Sequence, residues 1–563
     1  MNYKEKYQSW LESPFIDEKT KEELLAIQDN EEEIKDRFHQ DLEFGTAGLR
    51  GIIAAGSNRM NQYTVGLATE ALARTIEDEG AEAKKRGVAI AYDVRHKSKE
   101  FAQITAGVLA KHGIKVYIHK EIQPTPILSY TIRHLKTISG VMMTASHNPK
   151  EYNGYKAYWE EGSQILDDIA DRIVTHIENI QNFGEIAVMN FEEGIQKGII
   201  EYVPEEVLTS YMSKVENLSL HENIDYDTCI VYSPLNGTGN KPVREILRRK
   251  GFTNINVVKE QENPDPDFMT VGYPNPEDPK AFHYSELLGE KINADILLAT
   301  DPDCDRCALE VKNENGEYVF FNGNKIGALL IHYILSSRAE KNQLSKDHVI
   351  VKSIVTGDLG KSIAKSFGVE TKETLTGFKN ICGLANRYDE TKEYQFLFGY
   401  EESIGYVYQN FVRDKDAVNS SLMISEMAAY YKQQGKSLLD VLNELYEKYG
   451  FYQEKVNSYV LEGISGKERI DRMMVDFRNN PITQIGDMKL AEVRDYKDGF
   501  EDIGSSNVLK YFFDDGSWYA IRPSGTEPKI KIYMSVKGKD DENSQDKLTM
   551  IEKITEAKMN LVK

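Results

Sequence analysis

Three times in this chain a short apolar run is followed by an amphipathic stretch of helical period, a glycine and a second apolar run. Val88 to Tyr92 leads through a helical pattern near Lys99 to His112 into a strand from Ile114. Thr228 to Tyr232 leads through Lys241 to Lys250 into a strand after Gly251, and His348 to Lys352 leads through Lys361 to Phe367 into a strand after Gly368. Short β-branched runs alternating with helices predict α/β sheets. The glycines of His112-Gly113-Ile114, Lys250-Gly251-Phe252 and Phe367-Gly368-Val369 stand where a helix C-terminal cap is needed before a strand. A strand–helix–Gly–strand unit is common enough to arise without an ancestral repeat, so both origins stay open. At 563 residues the chain exceeds the ~250–300 residues at which one core stops growing. From about Gly450 the texture changes, with strand-like segments at Val456 to Leu461, Val508 to Phe513 and Ile530 to Met534 and a long charged helix after Asp541. The expected fold is three similar mixed α/β domains, 1–205, 206–320 and 321–450, followed by a smaller α+β domain over 451–563. No Pro- or Ser-rich linker separates them, which favours a packed multidomain body.

Charge narrows the partners. Against 69 Lys and Arg stand 90 Asp and Glu, a net charge of −21, whereas nucleic acid and anionic membranes attract basic surfaces. An anionic small substrate is still permitted, because the field of a site can oppose that of the whole molecule. No apolar run approaches the ~20 residues of a membrane span, and Met1 to Asp17 lacks the apolar stretch of a secretory signal. Four cysteines (Cys229, Cys304, Cys307, Cys382) are too few for a disulfide framework. Cys304 and Cys307 form a lone C-x-x-C, but a structural zinc needs four ligands. The chain reads as cytoplasmic, a monomer or small homo-oligomer, with no nucleic-acid or membrane partner.

In α/β domains ligands bind beyond the carboxyl ends of the strands, and four polar loops fall at such places, one in each expected domain. The first is Thr144-Ala-Ser146-His147-Asn148-Pro149, with Lys156 downstream. Ser146 beside His147 can be a nucleophile with a base, although a polar turn closed by Asn-Pro explains the same letters. The second is Asp301-Pro-Asp303-Cys-Asp305-Arg306. Its alternating carboxylates share one side of an extended loop, as ligands for a hard cation require, and leave room for water or a phosphate oxygen, which suits Mg²⁺. Arg306 can hold a phosphoryl oxygen. The third, Gly399-Tyr400-Glu401-Glu402-Ser403, offers acceptors for sugar hydroxyls but is equally a solvated turn; Lys379 in the neighbouring loop adds a cation. The fourth, Arg522-Pro-Ser524-Gly525-Thr526-Glu527-Pro528-Lys529, has the guanidinium, hydroxyls and glycine of a phosphate cradle. Gly237-Thr-Gly239 lacks the third glycine of a dinucleotide fingerprint and reads only as a turn.

In this order and spacing the loops resemble the α-D-phosphohexomutase superfamily (the phosphoglucomutase/phosphomannomutase family). The similarity extends over essentially the whole chain, including Phe44-Gly-Thr-Ala-Gly-Leu-Arg50-Gly51. The length and Val412-Arg-Asp-Lys-Asp-Ala417 look most like the bacterial phosphoglucomutases of the longer, type 2 branch. The resemblance implies domains arranged around a central cleft, with Ser146 as phosphoserine and Asp301, Asp303 and Asp305 holding one Mg²⁺ together with a phosphoserine oxygen. It implies acid–base work and phosphate handling by Arg50 and Lys156, with His147 beside the nucleophile. Glu401 and Ser403 would read the sugar, and Arg522, Ser524, Gly525 and Thr526 would clamp the non-reacting phosphate. The implied reaction interconverts glucose 1-phosphate and glucose 6-phosphate through glucose 1,6-bisphosphate, which also serves as activator. Tyr400 stands where the family usually has a glycine. Phosphopentomutase, phosphomannomutase, a metal-dependent phosphatase and a non-catalytic sugar-phosphate binding protein are the competing readings.

Overall fold

The computed structural model describes residues 1–46, 48–461, 463–524 and 529–563. The chain forms two compact units, one of residues 1–320 with 382–391 and 405–430, the other of residues 321–381, 392–404 and 431–563.

The first unit opens with helices Tyr3–Glu12, Glu18–Leu25 and Glu31–Phe38, whose Tyr7, Trp10 and Phe38 form a small core of edge-on aromatic pairs. Its first sheet has the order Leu49–Ile52, Tyr152–Trp159, Ser139–Met143, Val88–Tyr92, Val116–Ile118, Ile200–Tyr202. The last four strands run parallel, and Tyr152–Trp159 turns back antiparallel to Ser139–Met143. Val88–Tyr92 is buried along its whole length, as a central parallel strand covered on both faces must be. That explains why it reads as an unbroken apolar run. The second sheet orders Tyr318–Phe321, Cys307–Lys312, Ile296–Thr300, Ile230–Ser233 and Ile255–Val257.

In the second unit Glu370–Thr374, His348–Ser353 and Gln395–Glu401 lie side by side and parallel. A separate, wholly antiparallel sheet follows, in the order Phe451–Val460, Lys529–Gly538, Trp518–Pro523, Leu509–Phe513, Met488–Asp495, Gln484–Ile485. Leu548, Ile551 and Met559 of the terminal helix Asp541–Leu561 cover it together with Phe477. Three α/β sheets and a smaller C-terminal domain are thus present as the periodicity predicted.

The three glycines carry the repeat into geometry. Gly113, Gly251 and Gly368 have φ of 70°, 100° and 72°, a region that costs other residues energy. Each closes its helix with the same pair of bonds, Gly113 N to Ala110 O and Ile114 N to Leu109 O, then Gly251 to Arg248 and Phe252 to Leu247, then Gly368 to Lys365 and Val369 to Ala364. This is the Schellman arrangement, made three times over.

One buried carboxyl strains this fold. Glu310, in the strand Cys307–Lys312, is 3% exposed, and its Oε2 has no hydrogen bond among the described residues. Burial, and secondarily Glu286, push its pKa from the ordinary 4.5 up to about 8. Between those values the folded chain holds a proton that the unfolded chain releases. Stability is therefore complete below pH 4.5 and falls as pH rises through 8, by roughly 3 kcal/mol at neutrality. Glu310→Gln is expected to melt at a higher temperature than the wild type at pH 8 and at the same temperature at pH 4.5. Equal shifts at both pH values would contradict this.

Candidate active site

The serine loop leaves the carboxyl end of Ser139–Met143 and is held open by Tyr152–Trp159, since Thr144 N donates to Gly154 O at 3.1 Å. Ser146 itself adopts φ 52°, a left-handed conformation that a non-glycine residue keeps only when its surroundings impose it. Those surroundings are visible. Ser146 N donates to Thr144 Oγ1 at 2.8 Å, and the Arg95 guanidinium donates to the carbonyls of Ser146 at 2.6 Å, Pro149 at 2.8 Å and Tyr152 at 3.1 Å, and also to that of Asn148. Arg95 is in turn fixed by Asp93, whose Oδ1 accepts from its backbone N at 2.9 Å, and lies over the Phe268 ring.

The result is a hydroxyl aimed at a carboxylate cluster. Ser146 Oγ donates to Asp301 Oδ2 at 2.8 Å and lies 3.1 Å from His147 Nδ1. Arg50, placed opposite Gly154 by the edge strand, reaches Asn148 Oδ1 at 3.3 Å. Burial, followed by the Arg306 and Arg50 guanidinium groups, pushes the His147 imidazole well below its usual pKa.

Asp301, Asp303 and Asp305 are all buried, and each offers an oxygen within 4.8 Å of the others. Among the described residues this is the one group of three or more such side chains close enough to hold a metal ion. The backbone N–H groups of Asp305 and Arg306 fix Asp301 Oδ1 at 3.1 and 3.0 Å. Thr125 Oγ1 and Lys156 Nζ fix Asp303 Oδ2 at 2.9 and 2.8 Å. Lys156 and Lys415 approach Asp305 Oδ2 at 3.5 and 3.1 Å. Burial and the neighbouring Asp303 and Asp305 push Asp301 well above the usual carboxylate range. Burial also opposes ionisation of Asp303, but Lys156 overrides it and holds that carboxyl down.

A hard divalent cation fits this set. All the donors are carboxylate oxygens, and Asp303 Oδ1 and Asp305 Oδ1 are buried without a hydrogen bond among the described residues. Such atoms are costly unless a cation or another donor meets them. The C-x-x-C cysteines play no part in it as ligands. Both are buried, and burial pushes the Cys307 thiol up to about 12. Gly237-Thr-Gly239, which reads only as a turn, braces the metal loop from behind. Thr238 N and Oγ1 both donate to Pro302 O, at 2.8 and 2.9 Å, and a Cβ on Gly237 would lie 2.5 Å from Pro302 Cα.

The sequence-derived residues of the second unit make two local groups. Glu401 Oε1 accepts from Gly377 N at 2.7 Å, next to the half-buried Lys379 and Ser403. Arg522, Ser524, Lys529 and Lys531 line a concavity of about 150 Å³; Gly525 and Thr526 lie outside the described residues. Arg95, Thr125, Lys415 and Lys531 were absent from the set read off the sequence. For Lys415 the signal lay in Arg-Asp-Lys-Asp, a charged run in an apolar neighbourhood. For Arg95 no local pattern exists, because its partners are carbonyls from residues 146 to 152.

Comparison with known proteins matches four family models along the chain. They are phosphoglucomutase/phosphomannomutase alpha/beta/alpha domain I over residues 41–183, domain II over 209–316, domain III over 322–449 and the C-terminal domain over 481–550. A phosphoglucomutase of Staphylococcus aureus strain MRSA252 is 38% identical over 536 residues, covering 92% of this chain and 94% of the relative. Among solved structures, the open form of Paramecium pp63/parafusin (phosphoglucomutase) superimposes with a TM-score of 0.71 at 18% identity, covering 92% and 95% of the two chains. The Aspergillus fumigatus N-acetylphosphoglucosamine mutase, solved with GlcNAc-6P and magnesium, gives a TM-score of 0.53 at 13% identity over 93% and 96%. Among the described residues no helix is long and apolar enough to cross a membrane.

Proposed function

The chain belongs to the phosphoglucomutase/phosphomannomutase family, and on that premise we propose that it interconverts glucose 1-phosphate and glucose 6-phosphate through a phosphorylated Ser146. The observation that carries this reading is the Ser146 hydroxyl 2.8 Å from Asp301 within a buried carboxylate trio. A free serine hydroxyl there is a poor nucleophile at neutral pH, but a phosphorylated one is a donor poised beside a metal site.

Asp301, Asp303 and Asp305 would hold one Mg²⁺, which when bound neutralises charge developing on the transferring phosphoryl oxygens. The chain's own residues do the rest. Ser146 Oγ passes its phosphoryl group to the 6-hydroxyl of glucose 1-phosphate, which gives up its proton while Oγ takes one. His147 Nδ1, at 3.1 Å, is within hydrogen-bond reach of that oxygen, and as a neutral imidazole it can relay the proton from one ring nitrogen to the other. Glucose 1,6-bisphosphate then presents its 1-phosphate to Ser146 and the steps reverse, so the same bisphosphate recharges enzyme that has lost its phosphate. Lys156 and Arg306 supply positive charge to the transferring group, Arg50 steadies Asn148 and the loop, and the burial of Ser146 limits the access of water to the phosphoserine. Glu401 and Ser403 accept and donate hydrogen bonds to the sugar, with Lys379 nearby. The guanidinium, hydroxyl and ammonium groups of Arg522, Ser524, Lys529 and Lys531 hold the non-reacting phosphate.

Measuring kcat/KM for glucose, mannose and ribose 1-phosphates tests the substrate. Glucose 1-phosphate is expected to lead both others by at least about tenfold, the discrimination a hydrogen-bonded hydroxyl readily provides. Ribose or mannose 1-phosphate in first place would overturn the choice of glucose.

A further inference from the structure

Tyr400, Glu401 and Glu402 are consecutive, yet their side chains are committed in three directions. Tyr400 is 1% exposed. Its ring lies against the helix Gly323–Glu340, where a Cβ on Gly327 would come 2.3 Å from the ring. The residue standing in place of the family's glycine therefore belongs to the domain core. Glu401 is held by Gly377 N at 2.7 Å. Glu402 is held by two hydroxyls, one at the end of the neighbouring strand His348–Ser353 and one in the loop that follows it: Thr356 Oγ1 donates to its Oε2 at 3.0 Å and Ser353 Oγ at 3.2 Å. Ser353 and Thr356 also touch each other, Oγ to Oγ1, at 2.8 Å.

These hydroxyls are not surface groups meeting by accident. Ser353 and Thr356 are both buried. Thr356 is fixed through its carbonyl, which accepts from the fully buried Lys352 Nζ at 2.7 Å, and the next residue, Gly357, donates from its N–H to Asn324 Oδ1 at 2.8 Å. The loop is a rigid mount, and both of its hydroxyl bonds fall on Oε2. Oε1 of the half-buried Glu402 is then the oxygen left for a ligand hydroxyl.

We infer that Ser353 and Thr356 are positioning residues for sugar recognition, holding the Glu402 carboxylate so that it, and not only Glu401 and Ser403, meets a sugar hydroxyl. The inference rests on the assignment of Glu401 to Ser403 as the sugar-reading loop. A hydrogen bond to a charged acceptor contributes more than a neutral one, and an acceptor already fixed in place loses less freedom when substrate arrives.

A double-mutant cycle tests this. Thr356→Val, which keeps the shape and removes the hydroxyl, is expected to raise KM roughly tenfold with kcat changed less than about threefold, while Thr356→Ser restores most of the affinity. In a Glu402→Ala background Thr356→Val is expected to leave KM within about twofold of the Glu402→Ala parent, because the group it positions is gone. The cycle is run with whichever hexose or pentose 1-phosphate the wild type turns over fastest, so a wrong choice of glucose does not affect it. The inference is overturned if Thr356→Val leaves KM unchanged in the wild-type background, or raises it by the same factor with and without Glu402.

Discussion

Ser146→Ala is expected to lower mutase turnover by roughly 10⁴-fold or more, because the group that carries the phosphoryl between substrate positions is then absent. The fold should survive. The Ser146 side chain contributes one hydrogen bond to Asp301 and one contact with His147, and its backbone is held by Thr144 and Arg95, which the substitution leaves in place. A stability cost of about 1–2 kcal/mol is the scale of that single buried bond. Thermal melting near the wild-type midpoint with activity at background would match. Wild-type turnover by the alanine variant would remove Ser146 from the reaction altogether.

Arg95→Met is the second large expectation, and it tests preorganisation. One buried guanidinium donates to carbonyls of Ser146, Asn148, Pro149 and Tyr152. Methionine fills much of the volume but donates nothing, and it leaves Asp93 buried opposite an apolar group. Removing one partner of such a pair costs about 3–5 kcal/mol. Part of that loss should appear as relaxation of the serine loop from its left-handed conformation, misplacing Oγ relative to Asp301. We expect kcat to fall at least about a hundredfold, as misplacement by an ångström does, with KM moving far less because Arg95 meets no substrate. Arg95→Lys should recover only a fraction, since an ammonium cannot span four carbonyls in the plane of a guanidinium. A parallel rise in KM would instead place Arg95 in substrate binding.

Much of the architecture was legible because it is written in local periodicity. Val88–Tyr92 is a strand with the bounds its apolar run predicts, and the helix bounds differ by one or two residues where capping decides the end. The carboxylate loop was legible for a chemical reason: Asp at alternate positions between two apolar strands makes little sense without a cation. Long-range commitments were not legible. That Lys415 would approach Asp305 depends on the path of residues 405–430, which cluster with the first unit. Tyr400 looked like a departure at the sugar loop, but its ring turns into the core, where Gly327 makes room. No pattern in a single sequence displays a cavity shaped by a distant glycine. The proposed phosphate cradle was read from its letters alone, and its Gly525 and Thr526 lie outside the described residues.

The measurement that bears most directly on the reaction is the site of covalent phosphate. Purified protein incubated with Mg²⁺ and glucose 1,6-bisphosphate, then digested and analysed by mass spectrometry, should carry one phosphate, on the peptide containing Ser146. When that phosphate is introduced with an ¹⁸O label, a chase with unlabelled glucose 1-phosphate before digestion should replace it with unlabelled phosphate at a rate no slower than kcat, while Ser146 stays phosphorylated. An active enzyme whose phosphate sits on another residue, or that never carries one, would contradict the phosphoserine mechanism.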